Sequence, residues 1–151
     1  VEVAGKEGTV RAMTLIATTL STLDNQSLTV PNGKIWGGVI RNVTANPTRR
    51  IVENVGIGYG DDVDRAMDLA LEVVRGLDAV ASDPEPQVVL IGLGDSSVDL
   101  SMRAWVPTGD YFATVCELRR RIKLRFDAEG ISIPYPQRDV HVHRVGAELD
   151  V

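Results

Sequence analysis

The stretch Leu23–Asn42, LDNQSLTVPNGKIWGGVIRN, decides how the rest of the chain reads. Leu23-Asp24-Asn25-Gln26 is a tight turn, because Asp and Asn tolerate turn geometry and hydrogen-bond their own backbone. Ser27 to Val30 is a short β-leaning run. Pro31-Asn32-Gly33 stops it: proline lacks a ladder donor, and Asn-Gly is a strong turn pair. Such a turn predicts positive φ at Gly33 and positions Lys34 and the strand that follows. Ile35, Val39 and Ile40 continue it, with Gly37-Gly38 between them as a bulge or close backbone approach. By local physics alone this is a surface turn in a small β domain.

Outward from that turn, Val1 to about Val43 alternates like a small barrel of short strands. Ala4-Gly5 and Glu7-Gly8 are turn signals, and Thr9 to Leu23 is rich in the Thr, Leu and Ile that strands carry. Thr44-Ala45-Asn46-Pro47 is short, polar and closed by proline, so it marks a boundary. Residues 1–46 therefore form one unit.

Beyond the boundary the periods change. Arg50 to Tyr59 reads as a strand. Val63, Ala66, Met67, Ala70, Leu71, Val74 and Leu77 then recur at helical spacing, with Asp61 as N-cap. Gln87 to Leu93 is a second strand. Val98, Leu100, Met102, Ala104 and Val106 alternate strictly with polar or larger residues, giving a strand with one buried face. Asp110 caps a second helix with the stripe Phe112, Val115, Leu118, Ile122 and Phe126, and Gly130 is its left-handed C-cap. Asp139 to Val145 alternates as a last strand. The order β-α-β-β-α-β is that of a ferredoxin-like sandwich, here over residues 47–136, with 137–151 as a C-terminal strand and tail.

Composition sets the class. The chain has 151 residues, 44% hydrophobic and 25% charged, as globular proteins do. No apolar run reaches the ~18–20 residues of a membrane span, and no signal peptide pattern is visible. The abrupt Val-Glu-Val start reads as an excised piece. One cysteine, Cys116, excludes an internal disulfide and fits a reducing compartment. Net charge is −5, which disfavours nucleic acid and anionic lipid. Residues 1–48 carry +1 and the remainder −6.

The motifs are weak as chemistry. Gly56-Ile57-Gly58-Tyr59-Gly60 lies where a dinucleotide fingerprint would, but Asp61 replaces its third glycine and Asp61, Asp62 and Asp64 would repel phosphate. Arg119, Arg120, Arg121, Lys123 and Arg125 suit the C-terminal half of a helix better than a nucleic-acid patch. His141, His143 and Asp139 share a strand face but lack a rigid further ligand for zinc. Cys116 reads as a small buried hydrophobe. No Gly-x-Ser-x-Gly or HExxH signature occurs, so no catalytic, cofactor or metal residue is assigned.

Four blocks together resemble the cytosolic portion of the small-conductance mechanosensitive channel (MscS) family. They are Gly8-Thr9-Val10 with Thr18-Thr19; Val30-Pro31-Asn32-Gly33-Lys34-Ile35; Asn46-Pro47 and Arg49-Arg50 leading to Gly56-Ile57-Gly58-Tyr59; and Phe126-Asp127-Ala128-Glu129-Gly130-Ile131 running into Ile133-Pro134-Tyr135-Pro136-Gln137. The resemblance implies an α+β chain: a small all-β, Sm/SH3-like barrel, then a ferredoxin-like α/β sandwich. It implies a non-enzymatic homoheptamer on the cytoplasmic side of the inner membrane, anchored by helices absent from this chain, which alone would be soluble. It would support assembly, gating and prefiltering of ions and small solutes during osmotic downshift. Pro31, Asn32, Gly33 and Lys34 would be its structural signature. Asp139 to Val145 would join a parallel barrel shared between subunits, with Val140 and Val142 inward, Arg144 near the rim and both histidines in solvent. A soluble nucleic-acid-binding or small-molecule-sensing module is the alternative that the ferredoxin-like pattern leaves open.

Overall fold

The computed structural model describes residues 1–143. The chain opens with a two-stranded hairpin, β1 (Glu2–Val3) and β2 (Lys6–Glu7), whose turn places Ala4 and Gly5 at positive φ. An antiparallel sheet follows, β3 (Thr9–Met13), β4 (Ala17–Ser21) and β5 (Ser27–Pro31), in that order. Among the described residues, only Val3, Leu20 and Val30 form its buried apolar cluster, with Val1, Leu28 and Ile35 packed against them. Among the described residues these strands make two open sheets, so the expected closed barrel is absent from the single chain.

The strand expected after Pro31 is also replaced. Asn32–Trp36 is a short helix, α1. Pro31 sits just before it with φ −57° and ψ 134°, since its fixed φ and missing N–H suit an entry into helix. Gly33 therefore has ordinary helical geometry, and the positive φ expected of it is not found. The chain after α1 returns to the hairpin, where Arg41 exchanges backbone hydrogen bonds with Glu2 and pairs with its carboxylate at 3.1 Å.

The second part is built on β6 (Thr48–Ile57), α2 (Val63–Arg75), β7 (Gln87–Leu93), β8 (Val98–Pro107) and α3 (Tyr111–Glu129). The sheet order is β6-β8-β7, all antiparallel. Val98, Leu100, Met102, Ala104 and Val106 are all buried, as strict alternation on a central strand requires. Both helices cover that face, and Ile51, Ile57, Leu69, Val74, Leu118, Ile122 and Phe126 complete the core. This is the β-α-β-β-α part of the ferredoxin-like order. Its last strand is missing: residues 131–143 have no regular structure, and β6 keeps an unpaired outer edge among the described residues. Arg144 and Val145, included in that expected strand, lie outside the described residues.

Smaller expectations shift for local reasons. β6 runs two residues earlier than its glycines suggested, because Gly58 already turns toward Ser132. Asp62, not Asp61, caps α2 by accepting from Arg65 N at 3.1 Å. Leu69 takes the buried place expected of Leu71, and Phe112 points to solvent. Asp110 precedes α3 without a side-chain cap bond. Gly130 does end α3 in the left-handed region at φ 73°, and Ile131 N donates to Phe126 O at 2.9 Å. Ile131 is buried, as the apolar partner in such a helix end should be.

Candidate functional site

The signature corner is organised by one side chain. The Asn32 amide accepts from Thr18 Oγ1 at 2.8 Å and donates to the carbonyls of Thr14 at 2.9 Å and Leu15 at 3.1 Å. Its backbone N–H donates to Ile16 O at 2.9 Å. A carboxamide alone among neutral side chains of this size offers an acceptor and two donors together. Asn32 thus ties the β3–β4 loop to the end of β5, a longer-range role than the turn chemistry read from its sequence. Gly33 faces open space, and Lys34 is exposed without an ion pair among the described residues. Around this corner Met13, Leu15, Ile16, Trp36 and Val39 are exposed, Leu15 by 95% and Trp36 by 86%. Few soluble surfaces concentrate so much apolar area without a partner to cover it.

The second candidate segment follows α3. Asp61 Oδ2 accepts from Ser132 N at 2.9 Å, Ser132 Oγ at 3.1 Å and Gly58 N at 2.9 Å. Gln137 N donates to Ser96 Oγ at 3.0 Å. These bonds strap the exit of α3 across the end of the sheet. They also explain the glycines. A Cβ on Gly58 would lie 2.5 Å from Ser132 Oγ, and one on Gly56 would lie 2.8 Å from Ser97 Cβ. The glycine run makes room for two serines. Past the strap, Val140 and Val142 are 77% and 78% exposed. His141 and His143 are exposed as well.

The cationic run on α3 is spent on carboxylates. Arg119 forks onto Glu53 at 2.8 and 2.9 Å, Arg120 and Arg121 share Glu117, Lys123 meets Asp127, and Arg125 meets Glu72 and Glu129. Hydrogen bonds from Arg120 and then Arg121 hold the Glu117 carboxyl at about 2, against an ordinary 4.5. A depressed carboxylate adds stability above its ordinary pKa and loses it as pH falls toward the folded value. Glu117→Gln should therefore lower the denaturant midpoint at pH 7, and the gap from wild type should close between about pH 4.5 and 2. The gap should be small and shrink in salt, because the cluster is solvent-exposed. Urea titrations at several pH values check this; an equal gap at pH 7 and pH 2.5 would refute it. Cys116, expected to be buried, is exposed on the same helix.

Two family descriptions cover most of the chain. The mechanosensitive ion channel beta-domain matches residues 1–45, and the C-terminal region of mechanosensitive ion channel MscS matches residues 51–133. The chain belongs to the MscS family. An MscS family protein of Synechocystis is 41% identical across all of this chain, which covers 51% of that relative. A small-conductance mechanosensitive channel of Edwardsiella ictaluri is 37% identical over 95% of this chain and 50% of its own length. The chain thus spans about half the length of these curated relatives. The crystal structure of Helicobacter pylori MscS in a closed state superposes with a TM-score of 0.89 at 28% identity, over 95% of this chain and 57% of that one. The corner at Asn32 lies in the MscS beta-domain match, and the α3 strap begins in the C-terminal match.

Proposed function

We propose that this chain is the cytosolic part of a mechanosensitive ion channel. In this reading a homoheptamer hangs below the inner membrane, braces the pore and screens ions and small solutes during osmotic downshift. The collinear match of residues 1–45 and 51–133 to the two MscS regions carries the reading. The exposed apolar side chains around Asn32 and on residues 140–142 support an assembled state, because a lone chain leaves them in water. No helix among the described residues is long and apolar enough to cross a membrane. The parent protein would supply the spanning helices from the half of the relatives' length that this chain does not cover. Residues 1–46, 47–136 and 137–151 would serve as pore support, vestibule wall and closing strand. Expression of the parent in cells lacking such channels should restore survival of downshock and give pressure-activated current. Membrane-localised protein with neither effect would rule the reading out.

A further inference from the structure

The face of the β6-β8-β7 sheet turned away from the helices carries two arginines that the fold does not use. Arg103 on β8 lies between Val52 of β6 and Gln87 of β7, and Arg50 faces Trp105 two pairs further along, the next pair on this face. Arg50 and Arg103 are therefore diagonal neighbours on one face, a separation that long side chains bridge. Neither forms an ion pair among the described residues. The acid on their own strand face, Asp99, is bonded by Ser97 Oγ at 2.7 Å and lies about 13 Å along β8 from Arg103. Arg103 Nε is also the one buried side-chain nitrogen or oxygen among the described residues with no hydrogen-bond partner. A shielded donor without an acceptor is costly, and that cost is recovered when an acceptor arrives.

We infer that this open sheet face binds a small oxyanion, a phosphate or carboxylate, with Arg103 as its fork and Arg50 as its second arm. Rotating the Arg103 guanidinium about its terminal torsions offers Nε and an Nη together to two oxygens, the geometry in which arginine outperforms a point charge. Asn54 and Ser101, paired across β6 and β8, and Gln87 add neutral polar groups to the same face. Trp105 and Val52 give the anion a partly apolar floor, which strengthens charge pairing relative to open water. The inference rests on these residues alone and stands whether or not the parent conducts ions.

The chain carries its own reporter, because Trp36→Phe leaves Trp105 as the remaining tryptophan. Inorganic phosphate is titrated into that chain at constant ionic strength, with sodium chloride as the exchange salt. Trp105 fluorescence should change saturably. Arg103→Gln should weaken the response roughly tenfold or more, and Arg50→Gln should weaken it less, with circular dichroism unchanged in both. A response that is linear, or equal in Arg103→Gln, would overturn the site. If phosphate has no effect while Arg103→Gln lowers the oligomeric state by sedimentation, a carboxylate of a second copy is the acceptor and the free-anion site is wrong.

Discussion

Val142→Asp is expected to leave each chain folded and to abolish its assembly. Val140 and Val142 lie beyond the strap and are exposed among the described residues. In the proposed intersubunit barrel they point inward. A barrel of about seven or eight strands has room inside only for packed side chains. One carboxylate per subunit in such a ring meets both desolvation and its own like charges, so the ring cannot close at neutral pH. The fold of each chain should survive, because the core of β6, β7, β8, α2 and α3 ends at Ile131 and makes no use of Val142. Native mass spectrometry should show an oligomer for wild type and single chains for Val142→Asp and for a truncation before Asp139. Circular dichroism should match in all three. A wild-type oligomer that persists in both variants would refute the shared barrel.

Asn32→Leu is expected to cost the β3-β4-β5 sheet about 2–3 kcal/mol. The substitution keeps the size and removes all three side-chain hydrogen bonds of Asn32. Thr18, only 3% exposed, then keeps a hydroxyl whose acceptor has gone. The carbonyls of Thr14 and Leu15 lose their donors, though solvent can reach both. With three residues in its buried cluster, this part of the chain has little to offset such a loss. Asn32→Asp should not rescue: a carboxylate can accept from Thr18 but turns negative oxygen toward two carbonyls. Gly33→Ala, one residue on, should be neutral or mildly stabilising by up to about 1 kcal/mol, because the site is helical and open. Hydrogen exchange of β4 and β5 amides, compared across the variants, checks the order. Equal protection in Asn32→Leu and Gly33→Ala would contradict the clamp.

The two halves of the chain differed in how openly their sequences spoke. Around β8 the period-two pattern is unbroken from Val98 to Val106, and each of those five apolar residues is buried. The helices were legible for the same reason, with errors at the ends, where Asp61 and Asp62 compete for one cap and the strap decides between them. The signature corner misled because Asn-Gly is a local turn signal, whereas Asn32 acts on residues 14 to 18, beyond any local window. The pairing of Arg103 with Arg50 on one sheet face has no sequence signal, because its significance lies in what does not pair with them. Only strand register brings that into view.

Among the described residues, the strand order β6-β8-β7 leaves the outer edge of the ten-residue β6 without a ladder partner. An extended chain from any source could add there. Arg49, Arg50 and Glu53 put charge along this border, as exposed strands commonly do to discourage accidental pairing. The border therefore resists chance pairing with uncharged strands. It is also where a designed peptide of alternating residues, acidic opposite the two arginines, could gain a purchase on the molecule without entering any pocket.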